Sequence, residues 1–374
     1  MRWVTYFPEI NRFHLTKDVG LIPHYASKEG FTSSLVGKVK SPFETPAEVS
    51  GLELEILPEK GKLFFLDRAF LNWLRENAST VKVLHLFHLT RDSIFYGAYF
   101  KRLNPQGKLY LKFDAYNDHL TQRKRYANGE IKNFILQKVE RRFFHGLDLA
   151  TIENRNGLDL AKKNYPEISN LLQYLPNGCN DAFLDERFGE LISKEKRLLT
   201  VGRLGSSDKN FELLLKSIPL IELSDWHVDV VGPITQDFQL LIDRFTKEYL
   251  HLENRITFHG SITDRSLLYK MYARSAVFFL PSRFESFGIS FVEALYFGCV
   301  LVGHKGLYAY DDISDNGSYG IYYEDNDSDS FARALEKAMK VSQDYDLAKA
   351  RLFAKRNFAW SALFEKIKTF LSNE

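Results

Sequence analysis

FFLPSRFESFGISFVEALYFGCVLVG, residues 278–303, is the stretch that decides the fold of this chain. It opens on a short apolar run, which predicts a buried strand, and then breaks at a proline and at Ser286-Phe287-Gly288. Apolar residues return with helical spacing over 289–297, so that a strand, a loop and a helix follow one another. The same alternation runs along most of the chain and is typical of a mostly parallel sheet covered by helices.

Two carboxylates bracket the loop of this stretch. Glu285 lies on the loop, and Glu293 lies inside the helix, roughly 7–8 Å along the axis from Gly288 at 1.5 Å per residue. The N–H groups and the positive dipole end of the helix start bind anions. We therefore expect a nucleotide sugar here, with its pyrophosphate on the helix start, its sugar hydroxyls on one carboxylate and its ribose on the other. The plain alternative is a turn-capping Glu285 and a solvated Glu293.

This stretch also resembles a known signature. ESFGISFVEALYFG, residues 285–298, is similar to the Glu-x7-Glu motif of retaining glycosyltransferases of family 4, which have the GT-B fold. The resemblance implies two Rossmann-like, doubly wound parallel-sheet α/β domains that face each other across a cleft. It implies an acceptor-binding domain at 1–180, a donor-binding domain at 181–358, and a C-terminal helix at 359–374 that crosses back onto the first domain. The implied phosphate contacts are the backbone amides of Ser286, Phe287, Gly288 and Ile289.

A second loop carries two cations. In LLTVGRLGSSDKNFELLL, residues 198–215, Arg203 and Lys209 flank a loop whose glycines permit close backbone approach. The spacing matches neither the GxGxxG of dinucleotide folds nor a Walker loop, so that alone it is a weak phosphate signal. It resembles the Gly-Arg…Lys-Asn element of the family, which implies that Arg203 and Lys209 contact the donor diphosphate. Cations at that place neutralise the charge of a leaving pyrophosphate.

Candidate residues of the first domain rest on the resemblance. NRFHLTKDVGLIPHYASKEG places Gly20 ahead of a helix predicted to start at Ile22-Pro23, where the family has a glycine loop close to the donor phosphate. Many relatives carry a histidine near the donor sugar at the end of a first-domain strand. Here Asp114 ends the corresponding strand, and His88 ends the strand before it. We expect either Asp114 or His88 to orient or deprotonate the acceptor hydroxyl, although lone strand-end residues are structural more often than catalytic.

Composition and charge narrow the class of protein. The chain has 374 residues, more than one hydrophobic core usually serves, and 45% of them are hydrophobic. Only Cys179 and Cys299 are cysteines, which fits two thiols in a reducing cytoplasm. No long apolar run predicts a spanning helix or a signal peptide. The Asp-x-Asp runs at 325–329 precede a helix and are typical of helix caps, so no metal and no cofactor are expected.

The net charge of +2 is unevenly spread, with a positive surplus in the first half. Much of this surplus falls in TQRKRYANGEIKNFILQKVERRFF, residues 121–144, which contains a predicted basic helix at 130–144. An ordinary domain helix with a solvated basic face is the favoured interpretation. Peripheral contact with an anionic membrane surface is the alternative. Nucleic acid is not an expected partner.

The residues alone predict a two-domain α/β protein with a pyrophosphate-binding cleft, and the resemblance to family 4 implies a retaining, metal-independent glycosyltransferase. It would move a hexose-type sugar from a nucleoside diphosphate sugar, with a UDP-sugar expected and a GDP-sugar as the alternative, to a hydroxyl acceptor. The expected acceptor is a glycan or lipid-linked glycan of polysaccharide or cell-surface biosynthesis, and the expected location is the cytoplasm or the inner membrane surface. Two alternatives stay open: a non-catalytic sugar-nucleotide or membrane-binding module, and another GT-B enzyme such as an epimerase.

Overall fold

The chain folds into two compact units in the computed structural model, which describes residues 1–113, 120, 130–324 and 327–372. Unit 1 consists of Met1–Phe183 together with Phe358–Glu374, and unit 2 consists of Leu184–Asn357. These boundaries lie close to the predicted limits at 180 and 358. Each unit is built around its own parallel β-sheet.

Unit 1 contains a seven-stranded parallel sheet and a small hairpin. Its strands are β1 (Arg2–Glu9), β2 (Thr32–Lys38), β3 (Glu53–Ile56), β4 (Lys62–Leu63), β5 (Leu66–Asp67), β6 (Val81–Phe87), β7 (Lys108–Lys112), β8 (Leu149–Ile152) and β9 (Leu172–Tyr174). Its described helices are α1 (Arg12–Leu15), α2 (Asp18–Lys28), α3 (Arg68–Asn77), α4 (Arg91–Leu103), α5 (Glu130–Gly146) and α6 (Arg155–Asn164). The sheet order is β3-β2-β1-β6-β7-β8-β9, and β4 pairs antiparallel with β5.

Unit 2 contains a six-stranded parallel sheet in the order β12-β11-β10-β13-β14-β15. These strands are β10 (Glu195–Val201), β11 (His227–Val231), β12 (Ile256–Gly260), β13 (Ser275–Phe279), β14 (Val300–His304) and β15 (Gly320–Tyr323). The other α-helices that the structure describes are α7 (Asp181–Phe188), α8 (Phe211–Ser217), α9 (Gln236–Glu248), α10 (Arg265–Arg274), α11 (Ile289–Tyr296), α12 (Tyr310–Ser314), α13 (Ser328–Val341), α14 (Leu347–Phe358) and α15 (Trp360–Ser372).

The sequence explains these elements locally. Strand β13 reads SAVFF and is buried along its whole length, as a strand covered on both faces by helices requires. Helix starts carry side-chain caps: Thr235 caps α9, Asp264 caps α10 and Asp327 caps α13. The prediction that Asp327 is a helix cap is therefore confirmed, whereas Asp325 and Asn326 lie outside the described residues.

The C-terminal helix α15 belongs to unit 1. Its buried residues Trp360, Leu363, Phe364 and Ile367 join one of the cores of that unit, and the ring of Phe364 lies 5.3 Å from the ring of Trp3. The chain therefore returns to its first unit, as the predicted fold requires. None of the described helices combines the length and the apolar character that crossing a membrane would need.

The sheet orders locate a ligand site in unit 2. From β10, the chain adds β11 and β12 on one side and then β13 to β15 on the other. The order therefore reverses between β10 and β13, and their carboxyl-end loops diverge there. In open α/β sheets, ligands bind in the crevice at such a switch point. The two loops are the sequence segments at 202–210 and 280–288, which contain the predicted cations and the first carboxylate.

Candidate functional site

The two switch-point loops of unit 2 are tied together by hydrogen bonds. The backbone N–H groups of Arg283 and Phe284 donate to the carbonyl oxygen of Asp208, at 3.0 and 3.4 Å. In the other direction, Asn210 Nδ2 donates to the carbonyl oxygen of Pro281 at 3.2 Å. These bonds fix one loop against the other, so that side chains on both loops keep a defined separation.

Lys209 and Glu285 form the charged centre of this site. Lys209 Nζ donates to Glu285 Oε1 at 2.7 Å, and Ser282 Oγ donates to the same oxygen at 2.7 Å. The side chains of Lys209 and Glu285 are only 17% and 11% exposed, so that solvent screens their interaction weakly. A lysine ammonium has three donors and can therefore serve a carboxylate and a phosphate at once.

Arg203 lies on the same loop but in a different environment. Its side chain is 67% exposed, and Nη2 donates to Asp208 Oδ2 at 3.2 Å. Burial acts to raise the pKa of Asp208, but the Ser206 hydroxyl and the two nearby cations hold this pKa below its ordinary value. Asp208 is therefore an ionised partner for Arg203 and Lys209. The sequence prediction treated the two cations alike, whereas the structure distinguishes an exposed one from a largely buried one.

The start of helix α11 supplies backbone donors beside this pair. Gly288 is the N-cap with φ 91°, a left-handed conformation that favours glycine, and a Cβ there would lie 3.0 Å from the Phe291 ring. No described side chain caps this helix start. The first N–H groups of any helix lack intrahelical partners, and the dipole there favours an anion. The segment Ser286-Phe287-Gly288-Ile289 thus leads directly into a helix start whose dipole favours an anion, and binding of a phosphate there stays a prediction.

Glu293 is buried on the second turn of α11. Arg265, the first residue of α10, donates through Nη2 to Glu293 Oε1 and to the hydroxyl of Tyr269. Burial raises the pKa of Tyr272 well above its ordinary value, and the neighbouring Glu293 carboxylate adds to this rise. The alternative that Glu293 is a solvated face residue is therefore wrong. Sequence reasoning missed Arg265, whose only signal is its place at a helix start after a strand end.

Gly20 occupies a different place from the predicted one. Helix α2 begins at Asp18, whose carboxylate favours the positive dipole end, so that Gly20 is buried in the first turn and Pro23 lies inside the helix. A Cβ at Gly20 would lie 2.2 Å from the carbonyl oxygen of Leu15. The prediction of a glycine loop ahead of the helix is therefore wrong, since close packing against Leu15 requires this glycine. Its contact with a phosphate stays a prediction.

His88 follows β6 at the carboxyl edge of the sheet of unit 1. The order of that sheet reverses between β1 and β6, so His88 lies at the switch point of its unit. Its φ is 57°, its N–H donates to the carbonyl oxygen of Lys112 at 2.8 Å, and its ring lies 6.3 Å from that of Phe7. The other candidate, Asp114, lies outside the described residues. A role for either residue in acceptor activation stays a prediction.

The basic helix predicted at 130–144 forms as α5, and its side chains are described from residue 136 onward. Phe143 is fully buried in the core of unit 1, with Val139 packed against that core. Lys138, Arg141 and Arg142 are exposed. This described part is a domain helix with a basic solvated face, and its apolar residues are occupied by the core rather than available to a membrane.

Metal-binding residue types do not cluster in the described part of the chain, where no group of three or more His, Cys, Asp or Glu side chains could hold an ion. Both cysteines, Cys179 and Cys299, are buried free thiols. The charged groups described for the site in unit 2 are the side chains of Arg203, Asp208, Lys209, Arg265, Glu285 and Glu293.

Unit 2 is similar to a known protein family. Residues 183–354 match the family model of glycosyl transferases group 1, and this range contains both switch-point loops and α11. Unit 2 is therefore similar to the domain of group 1 glycosyl transferases. Glycogen synthase of Clostridium botulinum (strain Alaska E43 / Type E3) is 25% identical over 225 residues, 58% of this chain and 45% of that protein. Glycogen synthase of Xanthomonas campestris pv. campestris (strain 8004) is 26% identical over 165 residues, 44% of this chain and 33% of that protein. The chain thus matches less than half the length of these relatives.

Solved structures show the fold of the whole chain. A glycosyltransferase from Rickettsia africae superposes with a TM-score of 0.71 at 14% identity, covering 100% of this chain and 99% of that one. Anabaena HepE in complex with UDP gives a TM-score of 0.68 at 16% identity, covering 100% of both chains. The chain therefore has the GT-B fold with two parallel-sheet α/β domains, which confirms the fold prediction.

Proposed function

We propose that this protein is a retaining, metal-independent glycosyltransferase of family 4 that transfers a hexose-type sugar from a nucleoside diphosphate sugar to a hydroxyl acceptor. One observation carries the proposal. Lys209 Nζ and Glu285 Oε1 lie 2.7 Å apart, on the two loops at the switch point of unit 2 and next to the start of α11. A cation, a carboxylate and an anion-binding helix start are the groups that a sugar joined to a diphosphate requires. The group 1 glycosyl transferase match over the same residues supports it.

The donor would bind in unit 2 with each part on a matching group. The Glu285 carboxylate would accept hydrogen bonds from hydroxyls of the donor sugar. The backbone N–H groups of residues 286–289 would bind the diphosphate at the helix start. Glu293, with Arg265 holding one carboxylate oxygen, would accept from the ribose hydroxyls through the other. In this arrangement the Glu-x7-Glu spacing sets the distance between the sugar and the ribose.

Catalysis would come from the charge that develops on the leaving group. As the glycosidic bond breaks, negative charge grows on the diphosphate, and preorganised cations stabilise the transition state more than the ground state. Lys209 is held by two acidic partners and is largely shielded from solvent, so it is already oriented before the reaction. Arg203 lies at the surface, where it pairs with Asp208. It would add a second positive charge, which solvent and salt screen more strongly than that of Lys209.

Unit 1 would bind the acceptor, with Asp114 or His88 orienting or deprotonating its hydroxyl. Two of the solved neighbours are Anabaena HepE in complex with UDP and with UDP-glucose, which favours a UDP-sugar as donor, with a GDP-sugar as the alternative. A glycan or lipid-linked glycan of polysaccharide or cell-surface biosynthesis is the proposed acceptor. The proposed location is the cytoplasm, including the inner membrane surface.

Donor hydrolysis tests the function without knowledge of the acceptor. The full chain is incubated with UDP-, GDP- and dTDP-sugars, and release of the free nucleoside diphosphate is followed over time. We expect slow release from one donor class, lost in Lys209→Ala and retained in Lys196→Ala. Lys196 also pairs with an acid, Asp225, but lies at the opposite end of β10. Tight binding of a nucleoside diphosphate sugar, with no release in the presence of candidate acceptors, would instead identify a binding module.

A further inference from the structure

The β4–β5 hairpin of unit 1 has an unusual turn. Lys62 pairs with Asp67 and Leu63 with Leu66, which leaves Phe64 and Phe65 as the two turn residues. Phe64 has a φ of 57°. Two-residue hairpin turns with a positive φ are the places where Asn-Gly, Asp-Gly or Gly-Gly is preferred, because a bulky side chain is strained there. The local sequence therefore contradicts the local conformation, and such contradictions concentrate at functional sites.

Within the described part of the chain, Phe64 has no internal partner that would justify this strain. Its side chain is 91% exposed and the neighbouring Leu63 is 42% exposed. Phe65, by contrast, turns inward, with its ring 5.2 Å from that of Phe95 and 4.4 Å from the guanidinium carbon of Arg91. One aromatic residue thus anchors the turn while the other is presented to the surroundings.

The base of the hairpin is firmly held. Lys38, at the end of β2, forms ion pairs with Asp67 at 2.6 Å and with Glu59 at 3.0 Å. The N–H of Arg68 donates to the carbonyl oxygen of Gly61 at 3.2 Å, which closes the hairpin below its strands. The presentation of Phe64 is therefore a fixed feature of the carboxyl edge of this sheet and not a consequence of a loose loop.

The charges around the exposed tip are mostly positive. Four cations are exposed here: Lys60 just before the hairpin, Lys62 on it, Arg68 at the start of α3 and Arg91 at the start of α4. The acids Glu59 and Asp67 are engaged by Lys38, as the ion pairs above show. Exposed apolar residues surrounded by cations match a bilayer surface with anionic headgroups, where the apolar groups insert and each cation adds attraction.

We propose that the β4–β5 hairpin is a membrane-contact element that inserts Phe64 and Leu63 into the interface of an anionic lipid bilayer. The exposed cations of the hairpin and of α4 bind the headgroups around it. The contact is independent of the helix at 130–144, whose described apolar residues lie in the core. It is also independent of the proposed sugar transfer, because it involves lipid headgroups and acyl chains rather than the groups of unit 2.

Co-sedimentation with lipid vesicles tests the proposal without any sugar donor. The full chain is mixed with vesicles of phosphatidylcholine containing about one third phosphatidylglycerol, and with vesicles of phosphatidylcholine alone. We expect binding to the anionic vesicles that weakens with added salt, and a fall of about tenfold or more in the partition coefficient for Phe64→Gly. Phe64→Trp, which keeps a large apolar side chain, should retain binding. Leu240→Asn, which removes an exposed apolar residue on α9 of unit 2, should bind as the wild type does.

The Phe64→Gly variant also shows whether Phe64 contacts the membrane or stabilises the fold. Glycine accepts a positive φ without strain, so Phe64→Gly should melt at the wild-type temperature or above it. A clear fall in melting temperature would show that Phe64 stabilises the fold, and the proposal would be wrong. Wild-type binding by Phe64→Gly, or no binding of the wild type to anionic vesicles, would also overturn it. Lipid-free self-association that Phe64→Gly abolishes would assign the surface to a second copy of this chain instead.

Discussion

The carboxyl edges of the two sheets differ in what they offer a ligand. In unit 2, Lys209 Nζ lies 2.7 Å from Glu285 Oε1 at the switch point, and backbone hydrogen bonds connect the two loops that carry these residues. In unit 1, the corresponding edge carries His88 beside Phe7 and an exposed aromatic hairpin. The first arrangement suits a charged donor, whereas the second places the candidate acceptor residue His88 on the same edge as the proposed membrane-contact hairpin. Substitutions in unit 2 should therefore change donor chemistry, and substitutions in unit 1 should change acceptor use.

The largest effect should come from Lys209→Ala. Removal of one preorganised donor to a developing charge lowers turnover by roughly 10²–10³-fold. Lys209→Arg should restore part of the activity, because a planar guanidinium places its donors differently from an ammonium. Steady-state turnover is the measurement, with Lys196→Ala as the matched control. Turnover of Lys209→Ala within threefold of the wild type, with unchanged circular dichroism, would remove Lys209 from the diphosphate site.

Arg203→Ala should have a smaller effect than Lys209→Ala. The Arg203 side chain is mostly exposed, so solvent and salt screen its attraction for the diphosphate. We expect turnover to fall about tenfold, and the loss to grow at low ionic strength. Turnover measured at two salt concentrations checks this. Equal losses for the two variants at both concentrations would show that exposure does not distinguish these cations.

Glu293→Gln should weaken donor binding more than it slows chemistry. A ribose contact stabilises the ground state and the transition state alike, and a charged hydrogen bond contributes roughly 1.5–3 kcal/mol. The amide oxygen of Gln still accepts from Arg265, so the variant should fold. We expect the Michaelis constant for the donor to rise about tenfold or more while turnover changes little. An unchanged Michaelis constant would place the ribose elsewhere.

His88→Ala tests the proposed acceptor role of unit 1. If His88 orients the acceptor hydroxyl, transfer to the acceptor should slow by about tenfold, whereas donor hydrolysis by water should continue at the wild-type rate. The two rates are measured in parallel on the same preparation. Equal loss of both rates would assign His88 to the fold or to the donor, and no loss of either would leave Asp114 as the candidate.

The smallest effect should come from chelation. In the proposed mechanism, Lys209 and Arg203 would supply the positive charge at the diphosphate that a divalent cation supplies in metal-dependent transferases, so EDTA should leave the transfer rate unchanged. Rates before and after chelation are compared, with added Mn²⁺ as the third condition. Complete loss restored by Mn²⁺ would contradict the metal-independent mechanism.

The same contrast explains what could be predicted from the sequence. The positions of Glu285, Lys209 and Gly288 on their loops could be predicted, because apolar periodicity indicates the order of strand, loop and helix within a short segment. Contacts between residues that are distant in sequence could not be predicted. Lys209 and Glu285 are separated by 76 positions, and Arg265 and Glu293, which are also hydrogen-bonded, are separated by 28 positions. Such contacts follow from sheet order, which apolar periodicity does not determine.

In unit 1 the local signals were misleading. The Ile22-Pro23 pair suggested a helix start, but α2 begins at Asp18, because an acid in the first turn favours the dipole there. The sequence KLFFLD at 62–67 contains no typical turn residues, yet it forms the β4–β5 hairpin around Phe64-Phe65. A turn built from two phenylalanines breaks the usual turn preference, so pattern reasoning had no signal for it.

Calorimetric titration of the full chain with UDP, and then with GDP, tests the central claim about unit 2 most directly. We predict that one of these nucleotides binds once per chain. Binding should weaken by about tenfold to a hundredfold in Lys209→Ala, the scale of one charged hydrogen bond, and stay unchanged in Lys196→Ala. If neither nucleotide binds, or if Lys209→Ala binds as tightly as the wild type, the switch point of unit 2 is not the donor site.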